Sequence, residues 1–350
     1  MPKLDENPLF QYLRETVSRR ALAKEAICGE FRTNALPTSE AVKNLLPMFF
    51  GFDREEILSH HKFWKEHKLR NGLNALFATA RAAYIDICKH QAAIPAIARH
   101  QSEFENNIDY AVTNPFQKDV MAFCAASAGV NDVMRRLYRQ REDLEAQLKL
   151  AFNTHLVNDL ANFIKQLRNN LAHGSIVIPG WTIEWSSSGT SGAMTLNTRE
   201  LLLFGEWNGD SKRFIGSAEK ETIYLGNAIS DHQKSLQSFS NEVAAIFSKG
   251  MSDAEKDYFD LEDAQKLQSA KQYIHILLQQ VQGNDPYQYL PRYFDGPTVR
   301  KILKYPQNSK EQVDYMIVLK SGSIECDDSL RLALYKLFQV QTPDNSNPPI

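Results

Sequence analysis

The sequence shows no imbalance of charge: 40 Lys and Arg stand against 42 Asp and Glu, a formal net charge of -2 with a pI near 6.5. A chain that coats itself with nucleic acid by bulk charge is far more basic, so any nucleic-acid contact here has to come from a local patch. Long apolar runs are missing as well. The longest, Leu45 to Phe52, is interrupted by Pro47 and Gly51 and is far too short to cross a bilayer, so no membrane association is expected. Residues Met1 to Asn7 contain no apolar segment of a secretory leader, which predicts a cytoplasmic protein. Cysteine is scarce and scattered. Cys28, Cys88, Cys124 and Cys326 form no Cys-x-x-Cys pair, which excludes a zinc-ribbon spacing and argues against a disulfide framework. Cys88 and Cys124 fall in apolar helical patterns, where a thiol acts as a small hydrophobe.

What is present is an ordinary globular composition, 43% hydrophobic and 23% charged, on a chain of 350 residues that is long enough for two domains. Leu9, Phe10, Leu13, Val17, Ala21 and Ile27 recur at three-and-four spacing and predict a first helix. Asp53 with Glu56 resembles a capping box opening a second one through Ile57 and Trp64. Helical stripes follow from Leu73 to Cys88, from Val120 to Leu148 and from Leu156 to Leu171, with Pro95 and Pro115 in a loop between the first two. The period then shortens. Ile176 to Ser186 and Ala193 to Leu196 flank a Ser- and Gly-rich stretch and predict a hairpin. Asn197, with Glu200 three residues on, caps a short helix to Phe204, and Ile223 to Phe247 marks another. Beyond the polar stretch Ser248 to Lys256 the expected elements are a helix near Tyr273 to Val281, an aromatic loop, a strand at Met316 to Leu319 and a helix near Leu330 to Phe338. The expected division is a helical extension over 1–52, a helical bundle with a hairpin insert over 53–250, a small mixed α/β region over 251–341, and a loose tail over 342–350. The fold class is mainly α.

The sharpest feature is Arg168-Asn169-Asn170-Leu171-Ala172-His173 at the end of a helix, just before Gly174. A guanidinium keeps its charge and matches phosphate oxygens in a bidentate way. Imidazole exchanges protons near neutral pH. Together they suit RNA cleavage without metal or other cofactor. His173 handles the proton, Arg168 stabilises charge on the phosphate oxygens, and the ribose 2′-hydroxyl attacks, so DNA is inert. On an ideal helix the two positions are roughly 140° apart, so they do not share one narrow stripe; either the last turn frays or the pair meets across an interface.

This hexapeptide, closing a helix of a helical bundle, resembles the signature of the HEPN superfamily: Arg, four to six residues, then His, with a polar residue such as Asn169 after the Arg. The surroundings resemble HEPN proteins of bacterial abortive-infection and toxin systems, over roughly residues 54 to 248. The resemblance implies an up-and-down helical bundle and a metal-independent endoribonuclease acting as a toxin or antiviral-defence effector. It further implies that two Arg/His motifs face each other across a homodimer and leave 2′,3′-cyclic phosphate ends. RNA, a second copy of the chain, and an antitoxin or regulatory protein are the partners so implied. Arg168 and His173 take the catalytic roles and Asn169 orients them. Two departures stand out. One toxin subclass has a Tyr two residues after the His, where this chain has Ser175, and only one full motif exists, since Arg70-Asn71 is followed by Ala75 where a His is needed. The residues also fit a non-catalytic HEPN module that holds RNA or a partner protein. They also fit a purely structural helix end, whose dipole Arg and His complement.

Further candidates are single features. Lys165 lies one turn before Arg168, either as a solvated lysine or as an extension of the phosphate contact. Arg135, Arg136 and Arg139 cluster on the polar side of their helix, either as a solvated face or as an RNA track with Arg141, in the apolar phase, at a dimer or bundle seam. His60, His61 and His67 lack metal-ligand spacing and read as a surface helix face, so no metal site is expected. Tyr287, Tyr289, Arg292, Tyr293 and Phe294 interleave aromatics with a cation, as stacking platforms for single strands do, in a setting of prolines that suits a packed loop equally well.

Overall fold

A computed structural model describes residues 8–98, 112–172, 180–186, 189–204, 206–281, 284–321 and 328–340. By its internal contacts the chain forms two units, one of residues 65–251 and one that joins residues 1–64 with 252–350. The segments before and after the bundle therefore belong to one unit, where the sequence suggested two separate appendages bounded at 52 and 251.

The first unit begins with α1 (Pro8–Thr33), α2 (Glu40–Leu45) and α3 (Gly51–Leu58). Ile27, Phe31, Val42, Phe49 and Ile57 close a core with Tyr258 and Leu261 from α11 (Asp253–Gln280). Asp53 does not cap α3. It sits in the first turn, behind the N-cap Phe50, and pairs with Arg20 and Lys24. A buried polar knot holds this core. The Asp257 carboxylate accepts the Thr38 amide at 2.7 Å and the Thr38 hydroxyl, and His61 Nε2 lies 3.2 Å away. The Phe63 amide donates to His61 Nδ1, so the ring is neutral with its proton on Nε2. Burial lowers the His61 pKa, while at Asp257 the bonds from Thr38 and His61 outweigh burial and lower the carboxyl pKa. His61 is thus a core residue, contrary to the expected surface position.

The later helices of this unit are α12 (Leu290–Tyr293), α13 (Gly296–Ile302), α14 (Lys310–Ser321) and α15 (Asp328–Leu337). No strand occurs among its described residues, so the expected mixed α/β character is corrected to α. Met316 to Leu319 lies inside α14, because a four-residue apolar run is ambiguous and Val313, Met316 and Ile317 bury at helical spacing. Tyr287 and Phe294 pack on this core, and the Tyr287 hydroxyl bonds to Asn308 and Gln312. Both are half-buried, so part of their aromatic surface is taken up by this core.

The second unit holds most of α4 (Trp64–Ala98), then α5 (Asn114–Gln140), α6 (Glu145–Leu156), α7 (Asp159–Ala172), α8 (Thr198–Phe204), α9 (Gly209–Gly216) and α10 (Leu225–Lys249). α4 runs through Asn71-Gly72 and contains Pro95, which the sequence placed in a loop. Cys88 is exposed on it, contrary to the apolar phase, whereas Cys124 is buried. The expected hairpin forms from β1 (Gly180–Ser186) and β2 (Gly189–Asn197), and β3 (Thr222–Tyr224) adds a third antiparallel strand that the sequence pattern had merged into the following helix. β2 packs Met194 and Leu196 into the bundle. At Gly192 a Cβ would approach Ile94 to within 2.6 Å, so glycine is what lets strand and helix meet. Asn197 caps α8 as expected, its Oδ1 accepting the Arg199 and Glu200 amides at 2.9 and 3.2 Å.

The α5–α6 corner turns on Arg141, which is 4% exposed. Its guanidinium holds both oxygens of Asp143 at 2.8 Å, reaches Glu66 at 3.1 Å and donates to the Gly250 carbonyl. Arg70 pairs with the same Glu66 and lies 3.7 Å over the Phe247 ring. Arg141 is thus a seam within the bundle, one of the two expected places for it. Removing one member of a buried charge network strands its partner. Arg141→Ala is expected to lower the stability of this unit by about 3 kcal/mol, read from the urea unfolding midpoint, and an unchanged midpoint would contradict the seam.

Candidate functional site

Helix α7 begins on Asn158, whose Oδ1 accepts the Ala161 amide at 2.8 Å, with Asp159 in the first turn where a negative charge suits the helix dipole. Phe163, Ile164, Leu167 and Asn170 are buried, the stripe of an amphipathic helix. Phe163 anchors it, stacked on Trp207 with centroids 5.4 Å apart and tilted on Phe214 at 4.8 Å. With that face turned in, Lys165, Arg168 and Ala172 must face out, and all three are exposed.

Arg168 carries an exposed cation without a carboxylate partner among the described residues. Its only bond there is a long one, 3.5 Å from Nη1 to Asn169 Oδ1. The expected neighbour Asn169 is thus in place beside it. His173 lies outside the described residues, as do Gly174 and Ser175. The amide that organises this helix end is Asn170, which is 4% exposed. Its Nδ2 donates to the Gln166 carbonyl at 3.1 Å and reaches the Glu206 carbonyl, and its Oδ1 accepts the Glu206 amide at 3.3 Å. Position 170 follows Leu167 by three on the apolar stripe; that phase marks a buried amide and was the signal available in the sequence.

α5 and α7 run antiparallel: Phe116 and Val120 share a small apolar gap with Leu167 and Leu171, while Ser127 and Asn131 share a cavity with Ala161 and Lys165. Arg135, Arg136 and Arg139 are exposed with no carboxylate partner among the described residues. They lie toward the other end of α5, and sixteen residues of helix from Val120 to Arg136 span roughly 24 Å. The structure therefore brings Lys165 close to Arg168 along one helix and leaves the three arginines apart from it. No group of three or more His, Cys, Asp or Glu fit to hold a metal occurs among the described residues.

Sequence reasoning missed a further polar pair in this unit. Ser127 Oγ on α5 lies 2.6 Å from His232 Nε2 on α10. His232 is 2% exposed, its ring set edge-on to Phe123, and burial pushes its pKa down to about 4. His90 Nε2 pairs with Asp119 at 2.9 Å, and His155 Nε2 with Glu242 at 2.7 Å. Each pairing joins residues distant in sequence, so no local motif announces it.

The fold defines a mainly helical protein with a small three-stranded antiparallel sheet, and the candidate site is a solvent-facing cationic edge on α7. No protein-family model, curated protein or solved structure matches this chain. No helix among the described residues is long and apolar enough to cross a membrane.

His232 gives this unit a defined pH response. The unfolded chain protonates it below its ordinary value of 6.5, whereas the folded one holds off until about 4. Stability is therefore complete above pH 6.5 and falls as pH drops toward 4, by about 3 kcal/mol in all. Urea unfolding at a series of pH values should show His232→Gln with a slope flatter by one proton over this window. An identical slope in the variant would contradict the assignment.

Proposed function

We propose that this chain is a metal-independent endoribonuclease of HEPN type, a toxin or phage-defence effector that cuts RNA with Arg168 and His173. The observation that supports it is the exposed guanidinium of Arg168 on the outward face of α7, unpaired with any carboxylate among the described residues. A cation so presented keeps its attraction for phosphate oxygens, since no carboxylate among the described residues competes for its donors. In the reaction the ribose 2′-hydroxyl attacks the adjacent phosphorus and gives its proton to an imidazole. The 5′-oxygen leaves and takes a proton back, so a 2′,3′-cyclic phosphate and a 5′-hydroxyl end remain. Arg168 meets the charge that grows on the non-bridging oxygens, Asn169 steadies its guanidinium, and Lys165 holds a neighbouring phosphate. With one motif per chain, a homodimer supplies the second Arg/His pair.

A second reading, a non-catalytic module that holds RNA or a partner protein, is favoured by the exposed cluster Arg135, Arg136 and Arg139, roughly 24 Å along α5 from the Arg168 end. Such a separation suits a binding surface distinct from any chemistry.

Pure protein incubated with mixed cellular RNA in EDTA separates the two. Cleavage is expected to persist, and Arg168→Ala and His173→Ala are each expected to reduce it at least about a hundredfold, as loss of a proton-transfer or charge-stabilising group does. His173→Ala should leave RNA retention in a filter assay largely unchanged. Cleavage that requires a divalent ion, or that survives His173→Ala, contradicts the mechanism; binding without cleavage supports the second reading.

A further inference from the structure

A cavity of about 130 Å³ opens between α5, α6, α7 and α10. Its polar wall is the bonded pair Ser127 and His232 together with Asn131, Asn162 and Lys165, and its apolar wall includes Phe152 and Leu156. The Asn162 amide is already engaged, donating to Asp210 Oδ2 at 2.8 Å and to the Asn158 carbonyl at 3.2 Å. Lys165 and Asn131 have no hydrogen-bond or ion-pair partner among the described residues. Two donors without such a partner, one of them a cation, thus line one cavity beside the bonded Ser127–His232 pair and the engaged Asn162 amide nitrogen.

A nucleophilic reading of Ser127 fails on the same geometry. His232 has no carboxylate partner among the described residues, and an imidazole held neutral by burial is a poor acceptor for the serine proton. The pair is a wall that presents polarity without reacting. An uncharged apolar occupant would give the Lys165 ammonium and the Asn131 amide nothing to donate to. A phosphate dianion would press its remaining oxygens against Phe152 and Leu156, where nothing donates to them. A single negative charge on a short apolar body satisfies both walls. The volume admits a ligand of on the order of ten non-hydrogen atoms, well below drug size.

We propose that this cavity binds a small organic monocarboxylate, with Lys165 and Asn131 holding the carboxylate and Phe152 and Leu156 covering its apolar body. The site stands whether or not Arg168 takes part in chemistry, and it shares only Lys165 with the phosphate contact of the proposed function.

The test is ligand-observed NMR on the full chain with benzoate as probe, beside benzamide as its neutral counterpart and inorganic phosphate. Benzoate is expected to bind at millimolar concentration or below, and benzamide about tenfold more weakly. Phosphate is not expected to displace benzoate. Lys165→Gln, at an exposed position that tolerates exchange, should weaken benzoate about tenfold. Ala161→Phe, which fills the cavity, should abolish binding with the helical circular dichroism intact; if that variant unfolds, Lys165→Gln decides alone. Absence of benzoate binding, equal binding by Lys165→Gln, or displacement by phosphate overturns the proposal.

Discussion

The buried stripe of α7 is the constraint on which the candidate site depends. Once Phe163, Ile164, Leu167 and Asn170 turn inward, the helical period leaves Lys165 and Arg168 no position but the outer face. Phe163 enforces that choice through Trp207 and Phe214, and Asn170 enforces it at the other end through the backbone of Glu206. The orientation of one arginine is thereby secured by packing that the arginine does not share. Replacing Arg168 should accordingly disturb charge without disturbing the fold, which is what makes it a clean probe of function.

The bundle around α7 resolves its buried charges and titratable groups in different ways. At the α5–α6 corner Arg141 and Arg70 pair with Glu66, and Asp143, the Gly250 carbonyl and the Phe247 ring complete the guanidinium contacts. At His232 the solution is neutrality, with Ser127 as partner and burial lowering the pKa. In the other unit His61 is likewise neutral beside an ionised Asp257, because Phe63 and Thr38 donate to the pair from the backbone. Paired charges and neutral rings are the two ways a buried polar group avoids an unmet desolvation cost.

Much of this was legible in the sequence where periodicity is long. The stripe from Leu160 to Leu171, the run through Val120 and Met134, and the Asn197 cap all announced their helices, and the Ser- and Gly-rich stretch announced the hairpin. Short or interrupted signals failed. Pro95 marked a loop on paper but lies within α4, and Met316 to Leu319 looked like a strand because four apolar residues carry no period. The position of Arg141 in the apolar phase correctly marked a seam, yet the same logic misplaced Cys88. At the site, the outward cations Lys165 and Arg168 could be read from phase alone. The Ser127–His232 pair could not, since 105 positions separate its members and only tertiary packing joins them.

On the proposed function, Arg168, without a carboxylate partner among the described residues, meets an RNA phosphate that the adjacent 2′-hydroxyl attacks. The most direct measurement is phosphorus NMR of the products from one RNA oligonucleotide and from its 2′-deoxy counterpart, each treated with the pure protein. The account predicts 2′,3′-cyclic phosphate ends from the RNA and no reaction of the deoxy strand. Cleavage of the deoxy strand, or 5′-phosphate ends from the RNA, would contradict it.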